Sequence, residues 1–159
     1  MKQNEKTNAM RLLDAKKIPY VCRTYAPDGS MTGEEIAALL GEDVKRVFKT
    51  LVTVGKSGGH YVFVIPVAAE LDLKKAARAA GEKYVAMIKQ KELLPLTGYI
   101  HGGCTSIGMK KPFLTFLHET ASSYDTIFIS AGRVGMQLEL SPSDLAKAVD
   151  YTAADLTAE

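Results

Sequence analysis

A lone lysine interrupts an apolar, strand-like run in this chain. Lys49 stands within the run Val47–Val54, and the alternation of a strand puts it on the same face as Leu51 and Thr53. An ammonium held against apolar neighbours loses hydration, which costs free energy unless an anion or a polar cleft compensates. Two interpretations stay open at this point: an edge-strand charge that blocks aggregation, or a lysine that contacts an anionic substrate.

A glycine-rich segment could supply backbone chemistry. Four glycines fall within Gly98–Gly108, and glycine permits positive φ and close approach of the backbone to a ligand. The N–H groups of such a segment could receive a carbonyl oxygen or a phosphate, as anion-binding nests do. The spacing matches no phosphate-loop pattern, so a plain irregular loop remains the alternative.

Two polar residues stand at the ends of predicted strands in a hairpin. The segment 127–140 forms two strand-like runs joined by a glycine-bearing turn, with Ser130 ending the first run and Gln137 on the return. Polar groups beside a turn are well placed to line the mouth of a pocket. Without a ligand, Ser130 would be a turn residue that satisfies local backbone groups.

The histidines and cysteines do not form a metal-binding pattern. The chain has three histidines and two cysteines, and only His101 and Cys104 are close in sequence, which is too few ligands for a metal site. We therefore expect neither a metal nor a cofactor. A nucleophile pair of Cys104 with His101 or His118 is the alternative, but a free cysteine more often behaves as a small hydrophobe.

Composition limits the class of protein. With 159 residues, 47% hydrophobic and 24% charged, the chain fits one domain over residues 1–159. No apolar run approaches the ~20 residues that span a bilayer, so we expect no membrane partner. Two cysteines are too few for a disulfide framework, which favours the cytoplasm. The net charge of +2 neither requires nor excludes a nucleic acid.

Hydrophobic periodicity predicts a mixture of helices and strands in irregular order. A capping box at Thr32–Glu35 opens one helix, and Pro95 is expected to close another. Together the elements predict an α+β fold around a mixed or closed sheet of six or seven strands. The predicted helices cover residues 5–17, 34–40, 73–80, 89–94 and 145–149, and the strands cover 20–25, 48–54, 61–67, 84–87, 113–118, 126–130 and 136–140.

Five segments together closely resemble one known family. Phe48-Lys49-Thr50-Leu51, the Gly98–Gly108 loop and the Ser130–Glu139 hairpin occur in the order found in the YbaK/EbsC family of aminoacyl-tRNA deacylases. Tyr25 and the stretch Pro66–Lys75 extend the likeness over nearly the whole chain. The resemblance is strongest to the members that act on Cys-tRNA(Pro), which are related to the editing domain of bacterial prolyl-tRNA synthetases.

This resemblance implies a fold, a reaction and a set of site residues. It implies a mixed β-barrel-like sheet surrounded by helices and the clearing of mischarged tRNA, without a cofactor. It places the essential lysine on Lys49 and further catalytic groups on Gly102 and Ser130. The residues implied to bind substrate are Tyr25, Phe48, Thr50, Gly103 and Gln137.

The chain departs from the family pattern at two places. A proline common in the family's loop is Ser106 here, which removes a fixed φ, so we expect a looser loop. An aspartate frequent on the return strand is Gln137 here, which removes a charge from the pocket wall. The preference for one amino acid is therefore less well defined by the sequence than the class of reaction.

We expect the protein to act by positioning and electrostatic stabilisation, because an aminoacyl ester is already activated. Lys49 would bind phosphate or ribose oxygens at the 3′ end of the tRNA, and the N–H groups of Gly102 and Gly103 would stabilise the oxyanion. Ser130 and Tyr25 would orient the α-amino group or the ribose. For a cysteinyl ester, the resemblance implies that the substrate's own thiol attacks the carbonyl.

The expected partners are tRNA and, by analogy with the family, prolyl-tRNA synthetase. A basic surface near the motifs would contact the tRNA, with Lys45, Arg46, Lys110, Lys111 and Arg133 as its members. Two alternatives remain open. The first is a related deacylase that removes alanine or another small amino acid, and the second is a non-catalytic regulator that binds tRNA or protein.

Overall fold

The computed structural model describes residues 6–27 and 31–158, and within them the chain forms five α-helices and eight strands. The α+β class predicted from the sequence is therefore confirmed. The helices are α1 (Asn8–Ala15), α2 (Gly33–Leu40), α3 (Leu73–Ala80), α4 (Gln90–Thr97) and α5 (Pro142–Ala148). The strands are β1 (Val21–Thr24), β2 (Phe48–Gly55), β3 (His60–Pro66), β4 (Val85–Met87), β5 (Leu114–His118), β6 (Ile127–Ser130), β7 (Met136–Leu140) and β8 (Tyr151–Ala154).

The larger sheet has the strand order β4-β2-β3-β5-β8 and is mixed. The β2–β3 hairpin and the β2–β4 pair are antiparallel, whereas β5 runs parallel to both β3 and β8. Apolar side chains cover both faces of this sheet. Phe48 and Val52 of β2 point into the main core with α1, while Leu51 packs on the cluster beneath α3, as strand alternation predicts.

The smaller sheet has the strand order β1-β7-β6 and is antiparallel throughout. One face supplies Ile127, Ile129 and Leu138 to the main core. The opposite face carries Ser130, Gln137 and Arg23 in one row, because these residues are direct partners across the three strands.

The two sheets touch without closing into the predicted barrel. A single parallel bridge joins Val47 to Phe128, and the residues described here form two separate sheets on either side of it. The barrel-like form of the prediction is therefore not confirmed. Beyond this bridge β2 and β6 are not paired among the described residues, and residues of both strands line a pocket there.

Local signals placed most elements correctly. The capping box is present, since Thr32 and Glu35 exchange side-chain and backbone hydrogen bonds, and Gly41 ends α2 with a φ of 68°. The predicted end of α4 is wrong, because Pro95 lies inside the helix, which continues to Thr97. In the part of the chain that the structure describes, no helix is long and apolar enough to span a membrane.

Candidate active site

A pocket of about 420 Å³ is lined by residues of β2 and β6. The glycine-rich loop and the start of α2 complete its walls. All of the predicted site residues except Gly103 line it, namely Tyr25, Phe48, Lys49, Thr50, Gly102, Ser130 and Gln137. The structure therefore brings together four segments that are separated in sequence.

The pocket forms because β4 pairs with only a short part of β2. The short strand β4 pairs only with Thr53–Gly55, at the far end of β2. The first half of β2, beginning at Phe48, therefore lies beside β6 rather than beside β4. Beyond the Val47–Phe128 bridge no further pairing is assigned between β2 and β6 in the described residues. The stretch that carries Lys49 and Thr50 consequently forms a wall of the pocket.

Lys49 is held by a backbone carbonyl and not by an acid. Its Nζ donates a hydrogen bond to the carbonyl oxygen of Val67 at 3.2 Å. Among the residues that the structure describes, no carboxylate lies within ion-pair distance of this half-buried ammonium. The charge therefore remains available for an anionic ligand in the pocket.

The start of α2 fixes the carbonyl that holds Lys49. A Cβ atom built on Gly33 would lie 2.4 Å from Cγ1 of Val67, so only glycine lets the helix approach this closely. Gly33 and Val67 both line the pocket. The close contact thus joins a helix end to the backbone group that orients the lysine.

Ser130 has a hydroxyl that can donate into the pocket. Its Oγ accepts a hydrogen bond from the N–H of Gly132 at 3.1 Å, which leaves the hydroxyl hydrogen free to be donated. Gly102 lies on the opposite loop with a φ of 85°, in the left-handed region that glycine adopts most readily. Ser130 and Gly102 are therefore the two candidate donors for a developing negative charge.

The backbone N–H of Gly103 is bonded within the loop. Its N–H donates to the carbonyl of Ile100 at 3.0 Å, so it is already used within the loop. A Cβ atom there would lie 3.0 Å from the backbone nitrogen of Val134. Gly103 therefore packs the loop against the β6–β7 turn, and its prediction as a substrate-binding residue and oxyanion donor is not supported by this geometry.

The loop and the hairpin turn are anchored by the N-terminal end of α1. Thr7 is buried, and its hydroxyl donates to the carbonyl of Ala131 at 2.6 Å, while Asn8 donates to the carbonyl of Gly108 at 2.9 Å. Tyr99 also donates from its hydroxyl to the carbonyl of Ile107, which is fully buried. These contacts hold the loop at Ile107 and Gly108, directly after Ser106.

The remaining predicted residues form the floor and the rim of the pocket. Phe48 is buried and belongs to the main core, so it supplies an apolar floor. Tyr25 is half-buried at the rim, and its backbone N–H donates to the carbonyl of Gly135 at 2.9 Å. Thr50 is half-buried and lines the pocket from β2.

A buried carboxylate stands behind Gln137. The amide nitrogen of Gln137 donates to Oε1 of Glu42 at 3.0 Å, and the Glu42 side chain is only 1% exposed. Burial raises the pKa of Glu42, while the Gln137 hydrogen bond and the Arg23 charge oppose that shift. Sequence reasoning missed Glu42 because it follows the helix-ending Gly41, where a glutamate usually lies in solvent.

Arg46, one of the predicted tRNA contacts, is occupied within the fold. Its Nε donates to the carbonyl of Thr126 at 2.9 Å, and its NH2 group lies 3.2 Å from Glu139. Its guanidinium also stacks over the Phe128 ring at 4.8 Å. The other predicted contacts are exposed, namely Lys45, Lys110, Lys111 and Arg133, and Arg133 also donates to the sulfur of Met136 at 3.8 Å.

Cys104 lines the pocket but is unsuited to act as a nucleophile. Burial raises the pKa of its thiol to about 12, so it stays protonated at neutral pH. His101 also lines the pocket from an exposed position. Within residues 6–27 and 31–158, no group of three or more histidine, cysteine or acidic side chains could hold a metal ion.

Sequence reasoning also missed the contribution of α2. Residues at its start, together with apolar side chains from elsewhere, complete the pocket wall: Met31, Thr32, Gly33, Glu34, Ile36, Val67, Leu93 and Met136. The capping box did locate this helix end. Only the tertiary packing of Gly33 on Val67 shows that the helix end faces the site.

Comparison with known proteins identifies relatives along nearly the whole chain. The aminoacyl-tRNA editing domain family matches residues 28–148. A protein of Enterococcus faecalis, EbsC, named as a candidate Cys-tRNA(Pro)/Cys-tRNA(Cys) deacylase, is 46% identical over 157 residues, which are 98% of this chain and 96% of that protein.

Solved structures share the same fold. The crystal structure of the hypothetical protein APE2540 has a TM-score of 0.87 and 26% identity, over 96% of this chain and 100% of that one. A crystal structure described as a candidate trans-editing enzyme for prolyl-tRNA synthetase has a TM-score of 0.83 and 26% identity, over 98% and 100% of the two chains.

Proposed function

The chain belongs to the aminoacyl-tRNA editing domain family, and from this we propose that it is a trans-editing deacylase that releases cysteine from Cys-tRNA(Pro). Cys-tRNA(Cys) is a further candidate substrate, as the name of the Enterococcus relative suggests. The observation that carries the proposal is the Lys49 ammonium. It lines a pocket beside Ser130 and Gly102, with only a backbone carbonyl as its hydrogen-bond partner among the described residues.

The pocket residues receive the following roles. Lys49 binds a phosphate or ribose oxygen of the terminal adenosine, and this fixes the ester between the glycine-rich loop and the β6–β7 turn. The Gly102 N–H and the Ser130 hydroxyl stabilise the oxyanion as the carbonyl is attacked. Tyr25 and Gln137 orient the ribose and the amino group, and Phe48 and Thr50 form the wall along β2. A volume of about 420 Å³ suits the aminoacyl group and its ribose.

The cleavage step needs no nucleophile from the protein. The thiol sulfur of the cysteinyl group attacks its own ester carbonyl, forming a C–S bond while the bond from the carbonyl carbon to the ribose oxygen breaks. The thiol proton ends on that ribose oxygen, and water then hydrolyses the cyclic thioester to cysteine. The high pKa of Cys104, about 12, supports this assignment, because the protein's own thiol in the pocket is protonated.

We further propose that residues 1–159 act as one domain, in the cytoplasm, where tRNA is charged. Support comes from packing: α1 contributes Ala9 and Leu13 to the main core, and Leu156 near the other end of the chain belongs to the cluster beneath α3. Prolyl-tRNA synthetase is the proposed partner, since binding to it would raise the local concentration of mischarged tRNA.

The proposal is tested by offering the protein tRNA(Pro) charged with cysteine, alanine or proline, and tRNA(Cys) charged with cysteine. We expect the Cys-tRNA(Pro) ester to be cleaved fastest, with no effect of a chelator. Fastest release from Ala-tRNA(Pro) would assign the related alanine deacylase instead. No cleavage of any ester with enzyme in excess would refute the deacylase and favour a non-catalytic regulator.

A further inference from the structure

Three buried polar atoms behind the pocket wall have no hydrogen-bond partner among the described residues. They are Nε of Arg23, Oε2 of Glu42 and Oε1 of Gln137. All three belong to one cluster, because Gln137 bonds to Glu42 and is paired across the sheet with both Arg23 and Ser130. Buried polar groups are normally satisfied, so a cluster like this calls for an explanation.

The charges in the cluster are distributed unevenly. Glu139 receives two cations, since the NH2 groups of Arg23 and Arg46 each lie 3.2 Å from its carboxylate, and Thr126 donates to it at 2.6 Å. Among the residues that the structure describes, Glu42 has one cation within ion-pair distance, the Nε of Arg23 at 3.8 Å. A buried carboxylate without close compensation is costly. Glu42 is therefore the carboxylate of this cluster whose charge is least compensated by the protein.

We propose that Glu42 is a positioning residue for the aminoacyl group, which rests on the proposed function above. Its carboxylate holds the Gln137 amide in the pocket wall and supplies the negative charge that favours the α-ammonium of the substrate. The hydrogen bond turns the amide nitrogen towards Glu42 and leaves Oε1 as an unused acceptor. This oxygen is buried, so the preference for the substrate's α-ammonium comes from the electrostatic field of the Glu42 carboxylate. That field is strong in a poorly hydrated wall.

The test compares two substrates that differ only at the α-amino group, Cys-tRNA(Pro) and N-acetyl-Cys-tRNA(Pro). Acetylation removes the positive charge and keeps the thiol and the ester. We expect Glu42→Gln, which keeps the shape of the side chain, to lower kcat/KM for Cys-tRNA(Pro) by about tenfold, mainly through KM. The loss for the acetylated substrate should be much smaller. Glu70→Gln, at an exposed site, is the matched control.

A swap of the two side chains adds a second test. The double variant Glu42→Gln with Gln137→Glu keeps an amide–carboxylate pair in the same place, so we expect it to recover most of the preference for the free amino group. Equal losses on both substrates, or no loss on either, would overturn the role of Glu42 while the deacylase stands. A wild-type protein inactive on every aminoacyl-tRNA would instead refute the proposed function and this inference with it.

Discussion

Replacing Lys49 by alanine removes the only lysine or arginine among the described residues that line the pocket. The structural cost is small. The variant loses one hydrogen bond, from Nζ to the Val67 carbonyl at 3.2 Å, which is worth about 1 kcal/mol. It also relieves a half-buried ammonium of its desolvation. We therefore expect the free energy of unfolding to change by about 1 kcal/mol or less.

The functional cost is much larger, because no other cation in the described wall can replace the ammonium. Two unit charges 4 Å apart at an effective dielectric constant of 20 interact by about 4 kcal/mol. At about 1.4 kcal/mol for each tenfold change, the loss in kcat/KM is about a thousandfold. Lys49→Arg keeps the charge but changes its reach and geometry, so its loss should be intermediate.

The assay is the release of cysteine from Cys-tRNA(Pro) under single-turnover conditions, with the melting temperature measured in parallel. Lys56→Ala, on the exposed turn at the other end of β2, is the control and should behave like the wild type. A folded Lys49→Ala protein with activity within threefold of the wild type would refute the role given to this residue. A loss of activity explained entirely by unfolding of the variant would also refute that role.

Three other predictions follow from the same structure. Gly33→Ala places a Cβ atom 2.4 Å from Val67, so we expect a loss of about 1–3 kcal/mol in unfolding free energy and lower activity; a variant with unchanged stability and activity would contradict the close packing. Cys104→Ser should keep activity within about threefold, because the thiol has a pKa of about 12 and stays protonated at neutral pH; an inactive but folded variant would point to a protein nucleophile. Burial lowers the pKa of His118, whose Nδ1 accepts the Leu156 N–H at 3.1 Å, so the folded state favours the neutral ring. Its stabilising effect is therefore present above pH 6.5, the ordinary value for this group, and is lost as pH falls below it. Urea unfolding at pH 8 and pH 5.5 should show a smaller decrease for His118→Gln than for the wild type, and equal decreases would refute this.

Local sequence signals predicted the helices and strands well where the cause is local. Asp72 and Gly81 cap α3, whose bounds agree with the prediction, because capping and left-handed termination depend on adjacent residues. The strand β8 was missed, since only Tyr151 and Thr152 of this short segment favour a strand, and its parallel pairing with β5 is a tertiary contact. Pro95 lies within α4 rather than at its end.

The sequence also predicted those site residues that are recognisable from their own type and position. Lys49, Ser130 and Gly102 stand out by type and position, and the structure brings them to one pocket. Glu42 could not be found in this way, because its contact with Gln137 joins residues 95 positions apart. For Gly103, the sequence does not reveal that its N–H is already bonded to the carbonyl of Ile100, so its role in binding substrate stays a prediction.

The most direct test of the account is the ratio of deacylation rates for Cys-tRNA(Pro) and Ser-tRNA(Pro). The two substrates differ only by sulfur and oxygen, so both should bind in the pocket, but only the thiol is an effective internal nucleophile. We expect the cysteinyl ester to be cleaved at least a hundredfold faster, which corresponds to about 3 kcal/mol in barrier height. Equal rates for the two esters would contradict it, because the attacking group would then have to come from water or from the protein.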